Sequence, residues 1–167
     1  SIYENTEVRS LNGTTVNTDY GSVNAGKVII CIDKMKSEFN KELEKHYYHF
    51  QTHVSVSEPL SHKVIKEIFP KKELMCWDSR LTYSYYRIIG GNRLVLGGSR
   101  YMTTYSSKLV DSPKVINSII DELKARFPTL KDVKFDHHWS GHIDITKDLA
   151  PIVDYEPKNN NVQYVMA

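Results

Sequence analysis

The stretch Tyr48-His49-Phe50-Gln51-Thr52-His53-Val54-Ser55-Val56-Ser57 changes character at almost every residue. Side chains alternate across a strand, so Tyr48, Phe50, Thr52, Val54 and Val56 share one face, and His49, Gln51, His53, Ser55 and Ser57 share the other. Two unlike faces are the habit of antiparallel sheets, and Glu58-Pro59 ends the run. A second alternating stretch lies downstream. It places Val133, Phe135, His137, Trp139, Gly141, Ile143 and Ile145 on one face, with Lys134, Asp136, His138, Ser140, His142 and Asp144 on the other. Between them, Leu74–Trp77, Leu81–Ile89 and Arg93–Leu96 read as strands, the last two joined at Gly90-Gly91-Asn92.

Helix signals punctuate these strands. Ser61 is placed to cap a helix through Val64, Ile65 and Ile68 that Pro70 stops. Ser112-Pro113 opens the longest one, whose stripe is Val115, Ile116, Ile119, Ile120, Leu123 and Phe127. A third, short helix is expected around Glu38–Lys45. Toward the N-terminus, Asn12-Gly13 and Asp19-Tyr20-Gly21 are turn signals between short strands. They lead to the unbroken apolar run Val28-Ile29-Ile30-Cys31-Ile32, read as a strand buried on both faces of a parallel sheet. Asp154 to Asn161 reads as a polar turn before a strand at Val162–Met166. The expected class is α+β, a mostly antiparallel sheet with one long and two shorter helices.

Composition narrows the function classes. A net charge of +2, 40% hydrophobic and 25% charged residues describe an ordinary globular domain. The lysines form no basic stripe, so nucleic acid is not an expected partner. No apolar run is long enough to span a membrane as a helix. Cys31 and Cys76 read as small buried hydrophobes in a reducing, cytoplasmic compartment. The chain lacks an initiator Met and ends on the apolar Val165-Met166-Ala167, and so reads as a piece of a longer protein. Its exposed strand edges would allow self-association.

Three constellations invite chemistry. Asp136, His138, His142 and Asp144 share a strand face, but same-face neighbours lie roughly 6.6–6.8 Å apart, too far for all four to reach one ion. A solvated face explains them, and no metal is expected. A hydrolytic triad around Ser99 lacks a nucleophile elbow, since Gly97-Gly98-Ser99 does not lead into a helix. The cluster Tyr83, Tyr85, Tyr86 and Arg87 could instead line a pocket for a small polar ligand, although tyrosines also suit any half-buried sheet. Gly97-Gly98 on the adjacent strand would let another group approach closely.

Several stretches, in order, resemble the D-amino-acid-oxidase-like superfamily of FAD-dependent oxidoreductases. Ile2-Tyr3-Glu4-Asn5-Thr6-Glu7-Val8 is similar to its entry into the flavin-domain meander. Val16-Asn17-Thr18, Gly21 and Ala25-Gly26-Lys27-Val28-Ile29-Ile30 resemble its "V-x-T … G … A-x-x-V-V-x-A" pattern. Tyr86-Arg87 with Asn92-Arg93-Leu94-Val95-Leu96-Gly97-Gly98 is similar to its substrate-domain hairpin. Trp139-Ser140-Gly141, Thr146, Asp148 and Pro151-Ile152 resemble "W-x-G … T-x-D-x-x-P-x-I". Asn161-Val162-Gln163-Tyr164-Val165 resembles the strand before its last glycine-rich turn.

The resemblance implies FAD as cofactor and oxidation of the C–N bond of an amine or amino acid, with hydrolysis of the resulting imine. Its G-x-G-x-x-G cradle does not occur here, so this piece alone would bind FAD poorly and be inactive. Residues 1–39 would be a remnant of the FAD-binding domain, 40–150 the substrate-binding domain, and 151–167 a return strand. Val8, Cys31 and Ile32 would lie near the adenosine, and Pro151 and Ile152 near the flavin ring. Tyr83, Tyr85, Arg87 and Trp139 would face the substrate. No catalytic residue is identified. Where the amino-acid-oxidising branch often has an arginine for the substrate carboxylate, this chain has Ile143, which favours the amine-oxidising branch. The alternatives are a non-enzymatic α+β module binding a ligand or peptide, and a hydrolase.

Overall fold

Turn chemistry sets the first three strands. In the computed structural model, which describes residues 1–33, 42–100 and 108–166, β1 (Val8–Asn12), β2 (Thr15–Thr18) and β3 (Gly21–Asn24) form an antiparallel meander. Its first turn needs Gly13, whose φ of 60° is costly for a residue with a Cβ. A second three-stranded sheet has the order β10-β11-β4, built from β4 (Val28–Ile30), β10 (Ile152–Glu156) and β11 (Asn159–Met166). Here β11 pairs parallel to β4, Val162 opposite Val28, and antiparallel to β10. Tyr47, Val162, Tyr164 and Met166 form the core between them, with Leu11, Val28, Ile30, Leu43 and Ile152 packed against it. These elements belong to one compact unit, residues 1–49 with 143–167.

The second unit, residues 50–142, carries most of a five-stranded sheet in the order β6-β7-β8-β5-β9. The strands are β5 (Tyr47–Pro59), β6 (Cys76–Trp77), β7 (Tyr85–Ile89), β8 (Arg93–Gly98) and β9 (Phe135–Thr146). Helices α1 (His62–Ile68) and α2 (Pro113–Arg126) cover one face. Ser61 caps α1, its hydroxyl accepting the Val64 N–H at 3.3 Å. Leu94, Leu96 and Tyr86 pack beneath Ile65, Ile68, Val115, Ile116, Ile119, Ile120 and Leu123, closing the main core.

The covered face of β5 is its polar one. Ser55 lies opposite Leu96 and His53 opposite Gly98, so the register puts the histidine and serines in the helix-side layer. Partners make this burial tolerable. Ser57 accepts the Leu94 N–H at 2.9 Å and donates to the Glu58 carbonyl at 2.7 Å. The Gln51 amide donates to the Val110 carbonyl at 2.5 Å and accepts its N–H at 3.2 Å. Ser55 meets His138 at 3.0 Å. Burial holds the His53 imidazole below its ordinary pKa, against the opposing pull of Asp111.

Several expectations change. Ile29 is 62% exposed and Cys31 and Ile32 are exposed, so the apolar run is not buried on both faces by described residues. Its three paired residues have β11 on one edge. Cys76, in contrast, packs against the main core. The stretch 154–161 is no mere turn: a tight bend at Pro157-Lys158 joins β10 to β11, because main-chain pairing overrides the polar side chains. Of the helix expected at 38–45, residues 38–41 lie outside the described residues, and Leu43–His46 is a single 3₁₀ turn. Asp144 is not on a solvated face: it is 3% exposed and meets His49 at 2.7 Å.

Candidate active site

The sheet face of unit 2 opposite the helices carries the candidate residues. Register puts Trp77 opposite Tyr85, Tyr85 opposite Gly97, and Gly97 opposite Val54, one row across four strands. Ser55 and His138 touch on the helix side. Alternation therefore turns Trp139 to the open face that Val54 shares. At the usual strand spacing, Trp139 and Tyr85 stand on strands roughly 14 Å apart. Gly97 and Val54 lie between them.

Gly97 is small for a reason. A Cβ there would sit 2.1 Å from the Tyr85 ring carbon and 2.3 Å from its hydroxyl. The Tyr85 ring thus lies across the glycine, the close approach that the Gly97-Gly98 pair allows. Burial, then the neighbouring Tyr83, pushes the Tyr85 phenol above its ordinary pKa, so it stays a hydrogen-bond donor. The Tyr83 and Tyr85 ring centroids are 6.1 Å apart. Tyr83 itself precedes β7, on a turn and not on a strand as expected. Asp78 anchors that turn, accepting the N–H groups of Arg80 at 3.1 Å and Ser84 at 3.3 Å. Arg80 also bonds Asp78 through its side chain, and reaches Glu122 of α2 at 2.5 Å. Arg80 holds the Asp78 carboxyl down at about 2.

Arg87 follows Tyr85 on the same face, opposite Val95. It is exposed, and makes no ion pair with a described residue. The structure therefore places Tyr85, Arg87 and Trp139 on one face, with the Tyr83 ring tilted against Tyr85 at its edge. Trp77 was not singled out from the sequence, although it is 67% exposed and paired with Tyr85. Counting back from Tyr85 across the β6–β7 hairpin was the signal.

The remaining residues fall in unit 1. Val8, Cys31 and Ile32 line one cleft of about 550 Å³, with Leu11, Val16 and Val28 as further apolar wall and Glu7 and Asp33 among its lining. Pro151 and Ile152 line another of about 510 Å³, together with His46, Tyr155 and Tyr164. Beside them, Leu149 holds a φ of 63°, and Asp148 accepts the Ala150 N–H at 3.1 Å. Both volumes are in the range of small-molecule sites. Among the described residues, no group of three or more His, Cys, Asp or Glu side chains is arranged to hold a metal.

The family model described as FAD dependent oxidoreductase (DAO) matches residues 1–167. The chain belongs to the DAO family. This DAO chain is 29% identical over 168 residues to gamma-glutamylputrescine oxidoreductase of Escherichia coli (strain K12), covering 98% of itself and 38% of that protein. It is 27% identical to a probable oxidoreductase of Haemophilus influenzae over 120 residues, 26% of that protein. It thus spans well under half the length of these curated relatives. Glycine oxidase from Bacillus cereus ATCC 14579 shares the fold with a TM-score of 0.73 at 18% identity, over 98% of this chain and 44% of that one. L-proline dehydrogenase from P. horikoshii does so at 0.72 and 14%, over 96% and 43%. The covered part of each neighbour shares the chain's α+β fold of mostly antiparallel sheets.

Proposed function

We propose that the whole protein oxidises the C–N bond of an amine or amino acid with FAD, and that the open face of unit 2 is the substrate wall. The observation that carries this is the Tyr85–Gly97 contact: a tyrosine laid over glycine on an aromatic, uncovered sheet face, in a chain of this family. In this reading residues 1–39 and 151–167 serve the cofactor, and residues 40–150 serve the substrate.

The fit to FAD differs between the two clefts. The apolar walls of the Val8–Cys31–Ile32 cleft suit a flat adenine ring, while Glu7 and Asp33 there would repel phosphates. The pyrophosphate is therefore not assigned to it. Pro151 and Ile152 offer an apolar edge to the isoalloxazine. When bound, FAD supplies the two-electron acceptor that side chains lack.

The chain's own task is to prepare the amine. An amine in water carries a proton, which ties up the lone pair that must be free for C–N oxidation. Tyr85 and Trp139 replace water around it, and desolvation lowers an amine pKa by up to roughly 3–5 units when complete. Cation–π attraction opposes this by about 0.5–2 kcal/mol, near one pKa unit. Desolvation wins. Tyr85, kept protonated, donates a hydrogen bond and is not the base.

The test is anaerobic mixing of the full-length protein with a panel of amines and amino acids. Loss of the flavin's visible absorbance with one of them is the expected result. A colourless protein, or a flavin that none of them reduces, ends the proposal. With an active substrate, Gly97→Ala should raise KM several-fold by displacing the Tyr85 ring, and the effect should shrink in a Tyr85→Ala background.

A further inference from the structure

One carboxylate behind the sheet serves both strands of the candidate wall. Glu122 stands on α2, whose apolar stripe packs on the covered face, so it lies across the sheet from the open one. One of its oxygens meets Arg80 at 2.5 Å, and the other accepts from Arg100 at 2.7 Å.

Arg80 belongs to the turn that leads into β7. There it bonds the Asp78 side chain, and its guanidinium reaches the Ser84 hydroxyl at 3.4 Å. Asp78 closes the same turn through its N–H, which donates to the Ser84 carbonyl at 3.1 Å. Tyr83 lies inside that turn, and Tyr85 follows it. Arg100 comes just after the end of β8 and also donates to the Ser118 carbonyl at 3.1 Å. The two ends meet: a Cβ on Gly98 would stand 3.2 Å from the Ser84 hydroxyl and 3.4 Å from the Tyr83 carbonyl.

An isolated exposed ion pair does little for a structure, but a part-buried carboxylate shared by two guanidiniums forms a network. The other tie from α2 is weaker, since Arg126 stays 4.0 Å from Asp78, beyond hydrogen-bond reach. Sheet register fixes where Tyr85 starts, whereas Tyr83 is carried by the turn, with its ring centroid 6.1 Å from that of Tyr85.

We propose that Glu122 is a positioning residue for the substrate wall. By holding Arg80 and Arg100 together it fixes the 78–84 turn against the end of β8. That sets the Tyr83 ring against Tyr85 and the Tyr85 ring over Gly97. The inference rests on the function proposed above, in which the wall replaces water around the amine. A loosened wall admits water, and a hydrated amine keeps its proton to higher pH. The direct effect of the charge has the opposite sign, because removing a negative group favours the neutral amine. The direction of the shift therefore separates positioning from electrostatics.

The test uses the full-length flavoprotein and an amine that reduces it, with the rate of flavin reduction at saturating amine followed against pH. In wild type that rate rises as the bound amine loses its proton. Glu122→Gln keeps the shape and drops the charge. It should move the rise upward by about one pH unit, a roughly tenfold loss on the acidic limb, with the high-pH plateau kept within about twofold. Adding Arg80→Ala to it should add little, because both break one network. Asp121→Asn, at the exposed carboxylate next along α2, should leave the profile in place. Amide exchange across residues 79–85 should quicken in Glu122→Gln while flavin content holds. Should that variant lose its flavin, Arg80→Lys decides by the same upward shift, since it keeps the charge and loses the fork. A limb that stays in place or moves to lower pH makes the inference wrong while the function stands. If no amine reduces the flavin, both fall.

Discussion

The two faces of the unit 2 sheet share strands but answer different demands. Under the helices most groups are spoken for: Leu94 and Leu96 fill space, and Ser57, Gln51 and Ser55 find partners, while the buried His53 Nδ1 has none among the described residues. On the other face Trp77 and Trp139 stand exposed, Tyr85 lies across a glycine, and Arg87 has no ion pair among the described residues. A fold can complete one face and leave the other incomplete, and chemistry is to be sought on the incomplete one. Polarity is a poor guide to which is which. On β5 the serines and histidine lie inside, while Thr52 and Val54 point to the open side.

The sharpest way to break this contrast is to compare Leu94 with Arg87. Leu94→Ala removes a fully buried side chain and should cost about 2–5 kcal/mol in denaturant unfolding. Arg87→Ala should change stability by less than about 0.5 kcal/mol. Equal losses would mean that the open face is structural.

Next comes the buried carboxylate of unit 1. Asp144→Ala removes the acceptor that faces His49 at 2.7 Å and should cost about 1–3 kcal/mol, read from the same unfolding curves.

Acid tests the anchored turn. Asp78 is held at about 2 in the folded chain against an ordinary 3.8. Its contribution is complete above about pH 4 and is lost as pH falls through about 2, because the unfolded chain takes up the proton first. Asp78→Asn should flatten the stability profile in that window, and an unchanged profile would show that the turn is not tied down by this charge.

The smallest effect expected is at Leu149. Its φ of 63° costs a leucine what glycine does not pay, so Leu149→Gly should leave melting unchanged or raise stability by up to about 1 kcal/mol. A clear loss would mean that the exposed side chain makes a contact that outweighs the backbone.

The sequence by itself determined the local elements. The Asn12-Gly13 turn, the Ser61 cap, the α2 stripe and the alternation of β5 and β9 are short-range facts, set by φ preferences and by the 3.6- and 2-residue periods. The ordered motifs were enough for the family, because each reflects a backbone demand that few residues meet. Where chain met chain, reading failed or could not begin. Which face of β5 lies inside depended on its register with β8, which no single strand encodes. The exposure of Ile29 and the hairpin at 152–166 depended on what pairs with β4 and β11. The carboxylate that two arginines share is visible only once the fold brings Arg80 and Arg100 to Glu122. Periodicity is carried along one strand; register and charge balance exist only between strands, so the fold alone could decide them.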